Sequence, residues 1–202
     1  MKPLTIVIGF IPQAIFVILV SWLSLGWAAA AGLAAAAILV AVTAAQGGVK
    51  ILPVAQSVIL AAFTVVGFTV GHHAEITFAP YARGVASLAL GAFIVATSSS
   101  FPFTSQFARQ TVPQQYWQTP QFLSINRRMS LVWGLAVLAI GAGHLGAAFA
   151  GSSPQIVRIL LDWGIPVYAA FTAYTVTKRT IAQNGHTQHP GGTGEPANRP
   201  AN

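Results

Sequence analysis

The chain has 202 residues, of which 54% are hydrophobic and only 6% are charged, and its formal net charge is +7. Because soluble domains carry roughly 25% charged residues, this composition excludes an ordinary soluble protein. The sequence contains no cysteine, which excludes disulfides, thiolate metal sites and cysteine nucleophiles.

The apolar residues form long runs, each close to the ~20 residues that a helix needs to cross the hydrocarbon core of a bilayer. Glycine and proline divide these runs. We therefore predict an all-α, polytopic transmembrane helix bundle. Its six predicted spans are approximately residues 4–22, 27–45, 51–70, 84–100, 129–149 and 155–177. The alternative is five full spans plus a re-entrant N-terminal segment, because the turn over residues 21–27 is short and apolar.

The N-terminal region begins like a cleavable signal peptide, with Lys2 before an apolar stretch and small residues at 28–30. The apolar region continues past that point, so we predict an uncleaved first span. Pro12 and Pro166 lie inside the first and last spans, where they predict kinks. The second span consists almost entirely of small residues, which let helix backbones approach closely inside the bundle or against another subunit.

The basic residues lie at the ends of the apolar runs, as the positive-inside rule and contacts with anionic headgroups require. This placement indicates a lipid bilayer rather than nucleic acid as the partner. With six spans, one side receives only Arg83 and Arg158. The other side receives Lys2, Lys50, Arg109, Arg127, Arg128, Lys178 and Arg179. We therefore predict that both termini are cytoplasmic.

Most of the remaining titratable groups gather near the opposite membrane face. The predicted loop between the third and fourth spans holds His72, His73, Glu75 and Arg83, the end of the fifth span holds His144, and the start of the sixth holds Arg158 and Asp162. In a structural interpretation, Arg158 and Asp162 form an i, i+4 ion pair, and His144 is a buried hydrogen-bonding residue.

A functional interpretation makes part of this group an ion or proton site, because imidazole and carboxylate bind first-row metals and histidine titrates near neutral pH. Its residues would be His72, His73, Glu75, His144 and Asp162. Adjacent histidines are not a recognised metal spacing, and no other ligand pattern accompanies them. We therefore predict no resident metal and no cofactor.

The loop over residues 101–128 is polar, basic and aromatic, and contains no acid. Residues 104–111 predict a short helix, and Thr119-Pro120 predicts the N-cap and first residue of a longer one. Aromatic side chains settle at headgroup depth and arginines bind lipid phosphates. The residues that we expect to contact lipid or a partner protein are Arg109, Tyr116, Trp117, Arg127 and Arg128.

Two motifs that would indicate an enzyme fail on context. Residues 141–146 read GxGxxG, with Asp162 further along, as in a dinucleotide-binding fingerprint. That fingerprint needs a preceding strand, whereas this copy lies in a membrane-length apolar run, where close helix packing explains the glycines. Ser98, Ser99 and Ser100 have no histidine or acid near them in the sequence. We predict no catalytic residue.

The end of the chain, residues 181–202, is rich in glycine, proline and polar residues and has almost nothing to bury. Such a composition predicts a disordered tail. His186 and His189 lie there three residues apart, as solvated tail residues rather than as a metal site.

The loop and the run after it resemble a group of small uncharacterised bacterial inner-membrane proteins. The matching elements are Pro102-Phe103-Thr104, Tyr116-Trp117, Pro120-Gln121-Phe122, Asn126-Arg127 and Trp133-Gly134. More distantly, the layout is similar to the intracellular septation protein A family, through Phe10-Ile11-Pro12, the polar residues 72–75 and the small residues up to Gly146. The lysine-rich stretch that commonly follows the second span in that family is missing here.

The resemblance implies a non-catalytic protein of the bacterial inner membrane, associated with septation or envelope synthesis. Its partners would be the bilayer, other membrane proteins or further copies of the chain. On this interpretation it acts through helix packing and its basic cytoplasmic loop. The alternative function is a small oligomeric transporter or channel, with the His/acid group near the extracytoplasmic face as its site.

Overall fold

A computed structural model describes residues 3–185 of the chain. Nine α-helices follow one another in this part of the sequence. Their bounds are α1 Pro3–Ile8, α2 Ile11–Leu19, α3 Leu25–Ala45, α4 Ile51–Thr69, α5 His72–Thr97, α6 Phe103–Ala108, α7 Pro120–Phe149, α8 Gln155–Ile159 and α9 Ile165–Gly185. A 3₁₀ turn, Gln114–Tyr116, lies before α7, and a π-helical turn, Leu160–Gly164, joins α8 to α9.

Five helical segments within the described residues are long and apolar enough to cross a membrane. They are Leu25–Ala45, Ile51–Thr69, His73–Thr97, Pro120–Phe149 and Gln155–Gln183. The all-helical bundle is therefore confirmed, and its composition is that of a multi-pass membrane protein. The prediction of six spans is not confirmed, because the first predicted span, residues 4–22, is not one continuous helix.

The first segment breaks after Ile8 because Pro12 follows four residues later. Proline lacks a backbone N–H, and its ring clashes with the carbonyl four residues before it, so the helix stops and restarts at Ile11. α1 contacts α6 and α9, whereas Ser21, just after α2, lies against Arg83 of α5. The segment thus runs from the end of the bundle beside α6 toward the other end.

Two antiparallel helix pairs, α3 with α4 and α5 with α7, form the frame of the bundle. Glycines allow the close approach within each pair. A Cβ on Gly67 of α4 would overlap the backbone of Gly26 in α3, and one on Gly141 of α7 would come within 2.8 Å of the Leu88 nitrogen in α5. Small side chains let dispersion forces join helices in lipid, where water drives no association.

α1 and α2 contribute to the cores on both sides of this frame. Ile6 of α1 is fully buried in one hydrophobic cluster, together with Leu52 of α4 and Phe103 of α6. Phe16 of α2 is fully buried in a second cluster, together with Leu25 of α3 and Ala86 of α5. Phe10, at the break, stacks on Trp133 of α7 with ring centroids 5.1 Å apart. The N-terminal segment therefore holds the two pairs together.

The names loop end and far end distinguish the two ends of the bundle below. The loop end carries residues 46–50 and 98–119, which meet where the Ile51 amide donates a 2.8 Å hydrogen bond to Gln106 Oε1. The far end carries residues 70–71 and 150–154, between α4 and α5 and between α7 and α8.

Two predicted boundaries are wrong. The far-end loop expected to hold His72 to Arg83 is instead helical, because α5 starts directly after Gly71 and runs through Pro80. Glu75, in its first turn, accepts a 2.7 Å hydrogen bond from the Leu25 amide and so caps the start of α3. At the other terminus, α9 continues to Gly185, so residues 181–185 of the predicted tail are helical. Residues 186–202, with His186 and His189, lie outside the described part, as does Lys2.

The predicted start of α7 is confirmed. Thr119 is the N-cap, its Oγ1 accepts a 3.3 Å hydrogen bond from the Phe122 amide, and Pro120 is the first helical residue. From there one helix of 30 residues runs from the basic loop to the far end.

Replacing Thr119 by alanine should destabilise the protein by about 1 kcal/mol, because the first turn of α7 would lose its side-chain cap. Unfolding in mixed micelles, followed by circular dichroism, measures the change. Ser124→Ala is the control, since Ser124 lies on the same turn region but only bonds back to the Gln121 carbonyl. Equal losses for both variants would contradict the capping role.

Candidate functional site

A charged network lies inside the bundle toward the far end. Asp162 Oδ2 is 2.9 Å from Arg83 Nη2, and Asp162 Oδ1 is 2.8 Å from His144 Nδ1. The three side chains come from α5, α7 and the π-helical turn. We call Arg83, His144 and Asp162 the charge network.

Burial makes this network unusual. His144 is only 2% exposed, and the side chains of Asp162 and Arg83 are 16% and 17% exposed. His144 Nε2 is buried and has no hydrogen-bond partner among the described residues. Charged groups inside a membrane protein are costly and are commonly paired or functional.

The backbone around Asp162 explains how a carboxylate reaches this position. Pro166 follows four residues later, and its missing N–H leaves the Asp162 carbonyl without the usual helical donor. The chain widens into the π-helical turn Leu160–Gly164, a local irregularity that often accompanies functional residues. The kink predicted from Pro166 thus takes the form of a π-helical turn that carries Asp162.

A cavity of about 340 Å³ adjoins the network at the far end. Its polar lining comes from Arg83, Asp162, Arg158 and Gln155, and Trp163 supplies an apolar wall. Arg83 also donates a 3.3 Å hydrogen bond to Ser21 Oγ, so the network reaches the N-terminal segment. Two guanidinium groups beside one carboxylate suit a small polar or anionic molecule, or proton exchange through His144.

The structure brings together only part of the predicted ion or proton site. His144 and Asp162 bond to each other, but Glu75 caps α3 instead, and His73 is exposed on the first turn of α5. The side chain of His72 lies outside the described part. Among the residues described, no group of three or more histidines, cysteines and acids is placed to hold a metal ion.

The predicted ion pair between Arg158 and Asp162 is wrong. Arg158, one turn before Asp162, lines the cavity, whereas the ion pair forms with Arg83 from a different helix. Sequence reasoning placed Arg83 in a loop and so missed its role. The available signal was that a lone arginine within an apolar stretch needs a buried acid as partner.

Three polar side chains in the middle of the bundle were also not predicted. Gln13 of α2 donates a 3.3 Å hydrogen bond to Ser87 of α5, one turn from Arg83. Gln13 Oε1 and both polar atoms of the fully buried Gln56 have no partner among the described residues. Polar groups therefore continue from the charge network into the bundle interior.

At the loop end, the predicted basic loop folds back onto the helices. Phe103 and Thr104 are buried, and Thr104 Oγ1 bonds to the Asn126 carbonyl at 2.8 Å and to Ser130 Oγ at 2.9 Å. Both Phe103 and Thr104 belong to α6, which spans most of the short helix predicted for residues 104–111. The loop is consequently a packed part of the bundle, fixed to α7.

The folded loop forms one wall of a second cavity, of about 310 Å³, which we call the loop pocket. Its lining includes Lys50, Gln106, Arg109 and Trp117, together with the end of α3. Arg109 lies over the Trp117 ring at 5.1 Å, and Lys50 Nζ lies over the Phe107 ring at 4.1 Å. Burial lowers the pKa of Lys50, because desolvation disfavours the charged ammonium.

The other predicted contact residues surround this end. Tyr116 and Arg127 and Arg128 are exposed, and Trp117 is half-buried, with its Nε1 donating a 2.8 Å hydrogen bond to the Val112 carbonyl. Lys178 and Arg179, near the end of α9, are exposed as well. Sequence reasoning identified Arg109 and Trp117 but did not connect them with Lys50.

No protein-family model matches the chain, and neither does any curated protein or any solved structure.

Proposed function

We propose that this chain is a non-catalytic integral protein of the bacterial inner membrane, associated with septation or envelope synthesis, and that its basic loop is its working surface. The observation that supports this most is the packing of the loop. Buried Phe103 and Thr104 fix its start to α7, while Arg109, Arg127 and Arg128 remain exposed at the same end. A rigid basic surface of this kind suits headgroups and acidic segments of membrane partners.

The test is co-purification after cross-linking in membranes. Replacing Arg109, Arg127 and Arg128 by glutamine should remove most of the cross-linked membrane partners, because the positive charge at the exposed loop is lost. Replacing Lys178 and Arg179 by glutamine is the control, since these residues are also basic and exposed but lie on α9. Loss of partners in both variants, or in neither, would contradict a role for the loop.

Sidedness can be measured with single cysteines, because the chain contains none. A Cβ at Gly48 or at Gly151 would meet nothing within 4 Å, and the two residues lie at opposite ends of the bundle. The asymmetry of basic residues supports a cytoplasmic position for the loop end. In intact spheroplasts, a membrane-impermeant maleimide should therefore label Gly151→Cys but should label Gly48→Cys only after permeabilisation. The reverse pattern would invert the proposed orientation.

A second function, a small oligomeric transporter or channel, is favoured by the charge network. His144, Asp162 and Arg83 come from separate parts of the chain to one position beside a cavity. Gln13 Oε1 and both polar atoms of Gln56 are also buried, without a partner among the described residues. Buried polar groups of this kind suit the passage of protons or a small polar solute.

Flux into proteoliposomes separates the two functions. If the chain transports protons or ions, His144→Leu should reduce the flux at least tenfold, because it removes the titratable ring nitrogen and leaves an apolar side chain of similar size. His73→Leu, on the exposed first turn of α5, should leave the flux unchanged. Absence of flux in the unmodified protein would leave only the first function.

A further inference from the structure

Lys50 is the basic residue whose environment most requires an explanation. Its side chain is only 7% exposed, although lysine is almost never fully buried without a partner. Its ammonium lies over the Phe107 ring, and the described part of the chain gives it no hydrogen-bond or ion-pair partner. Partial desolvation of an ammonium group with no anion beside it disfavours its charged form.

A second positively charged side chain lies near Lys50. Arg109, on the other wall of the loop pocket, also contacts an aromatic ring rather than an acid. The two acids within residues 3–185, Glu75 and Asp162, bond to the Leu25 amide and to the charge network toward the far end. The described protein therefore supplies two cations to this pocket and no counter-charge.

The remaining groups of the pocket suit an oxyanion. α4 begins at Ile51, directly after Lys50, so the positive end of its dipole lies at this pocket. Gln106 uses its Oε1 to cap the Ile51 amide, which leaves its Nε2 as a donor, and Gln110 provides another amide. Lysine as a compact charge and arginine as a planar donor are the usual binders of phosphate.

We propose that the loop pocket binds a phosphate group, with Lys50 and Arg109 as its cationic ligands and Gln106 as a neutral donor. The pocket opens at the end of the bundle where the exposed arginines and Trp117 lie, which is where a phospholipid headgroup would be. A phospholipid and soluble inorganic phosphate present the same chemistry to these residues. The proposal rests on the proposed function, since it gives the basic loop a specific ligand.

Lipid retention by the purified full chain tests the pocket. In nanodiscs containing phosphatidylcholine with a minor fraction of phosphatidylglycerol, native mass spectrometry should find phosphatidylglycerol bound one to one. Lys50→Met and Arg109→Gln should each weaken this binding about tenfold, the loss expected for one charge-assisted hydrogen bond. Arg109 is exposed, so its variant should fold even if Lys50→Met does not.

Arg179→Gln provides the matched control, because Arg179 is basic and exposed near the end of α9 but does not line the pocket. Its lipid binding should change less than twofold. A loss equal to that of Arg109→Gln would mean diffuse attraction to the charged surface, and unchanged binding in both pocket variants would equally overturn the proposal. Isothermal titration with inorganic phosphate distinguishes the two sources of the phosphate group. If inorganic phosphate binds and phosphatidylglycerol is not preferred over phosphatidylcholine, the pocket is a phosphate site for a soluble ligand.

The phosphate-pocket proposal and the proposed function can fail separately. If the pocket variants bind lipid normally, Arg127 and Arg128 can still recruit cross-linked partners. Failure of the cross-linking experiment leaves the lipid measurement unaffected, because it needs no partner protein.

Discussion

Asp162→Asn should destabilise the protein by about 3 kcal/mol, the cost of removing one partner from a mostly buried ion pair. Asp162 is the shared acceptor of Arg83 and His144, at 2.9 and 2.8 Å. Without its charge, the guanidinium of Arg83 stays in the bundle interior beside only neutral groups, the new amide and the Ser21 hydroxyl. Reversible unfolding with increasing SDS in mixed micelles measures the free energy of unfolding.

The double variant tests whether the loss comes from the pair itself. Removing Arg83 as well, as Arg83→Gln, should restore part of the stability, with a coupling energy of about 1–3 kcal/mol. Arg158→Gln is the matched control, because Arg158 lines the same cavity one turn before Asp162 and forms no ion pair in the described chain. Strictly additive losses for Asp162 and Arg83, or an equal loss for Arg158, would show that the network does not act as a unit.

Gly141→Ala should destabilise the bundle by about 2 kcal/mol. The added methyl would lie 2.8 Å from the Leu88 backbone nitrogen and 2.8 Å from Leu88 Cγ, so α5 and α7 would have to separate. Overpacking of this kind costs about 1–3 kcal/mol, more than the ~1 kcal/mol that alanine gains over glycine in a helix. The same micellar unfolding experiment measures the effect.

Gly146→Ala, in the same helix, provides the comparison. A methyl there would meet the Leu161 side chain at 3.6 Å, an ordinary contact distance. This variant should therefore be as stable as the unmodified chain or more stable by up to about 1 kcal/mol. If the two variants behaved alike, helix propensity rather than close packing would govern the glycines of α7.

Gly141 and Gly143 also show which features of the bundle could be predicted from the sequence and which could not. The motif at residues 141–146 could be rejected as a nucleotide-binding site from the sequence alone, because it lies in an apolar run and not after a strand. The sequence also predicted that its glycines serve close helix packing. Gly141 does pack on Leu88, and Gly143 packs on the Leu161 carbonyl. The sequence did not distinguish the two partners, because the face that each glycine presents depends on how α5 and the π-helical turn are arranged around α7.

The first predicted span shows a second limit. Hydropathy over residues 4–22 predicts a span, and Pro12 predicts a kink, but neither determines whether the helix bends or breaks. The outcome depends on Gly9 and Phe10, where the interrupted backbone lets Phe10 reach Trp133. That contact joins residues far apart in the sequence, so no local pattern could indicate it.

The sequence predicted what type of residue forms each candidate site, but it did not predict every residue that belongs to it. Composition identified Asp162 and His144 as rare polar groups in an apolar chain, and the loop arginines as basic residues without acids. The structure adds Arg83 to the first set and Lys50 to the second. Arg83 lies on α5 and Lys50 lies directly before α4, so both are distant in sequence from the other members of their sites. Only tertiary packing brings them together.

The position of α1 and α2 has a consequence for biosynthesis. Ribosomes make Ile6, Phe10 and Gln13 before their partners in α4 to α7, among them Leu52, Ser87 and Trp133. Gln13 is therefore synthesised well before Ser87, its hydrogen-bond partner in the folded bundle. Contacts so distant in sequence form slowly, and incomplete intermediates are prone to misassembly. Membrane insertion factors that shelter polar residues would thus matter most during the synthesis of α3 to α5.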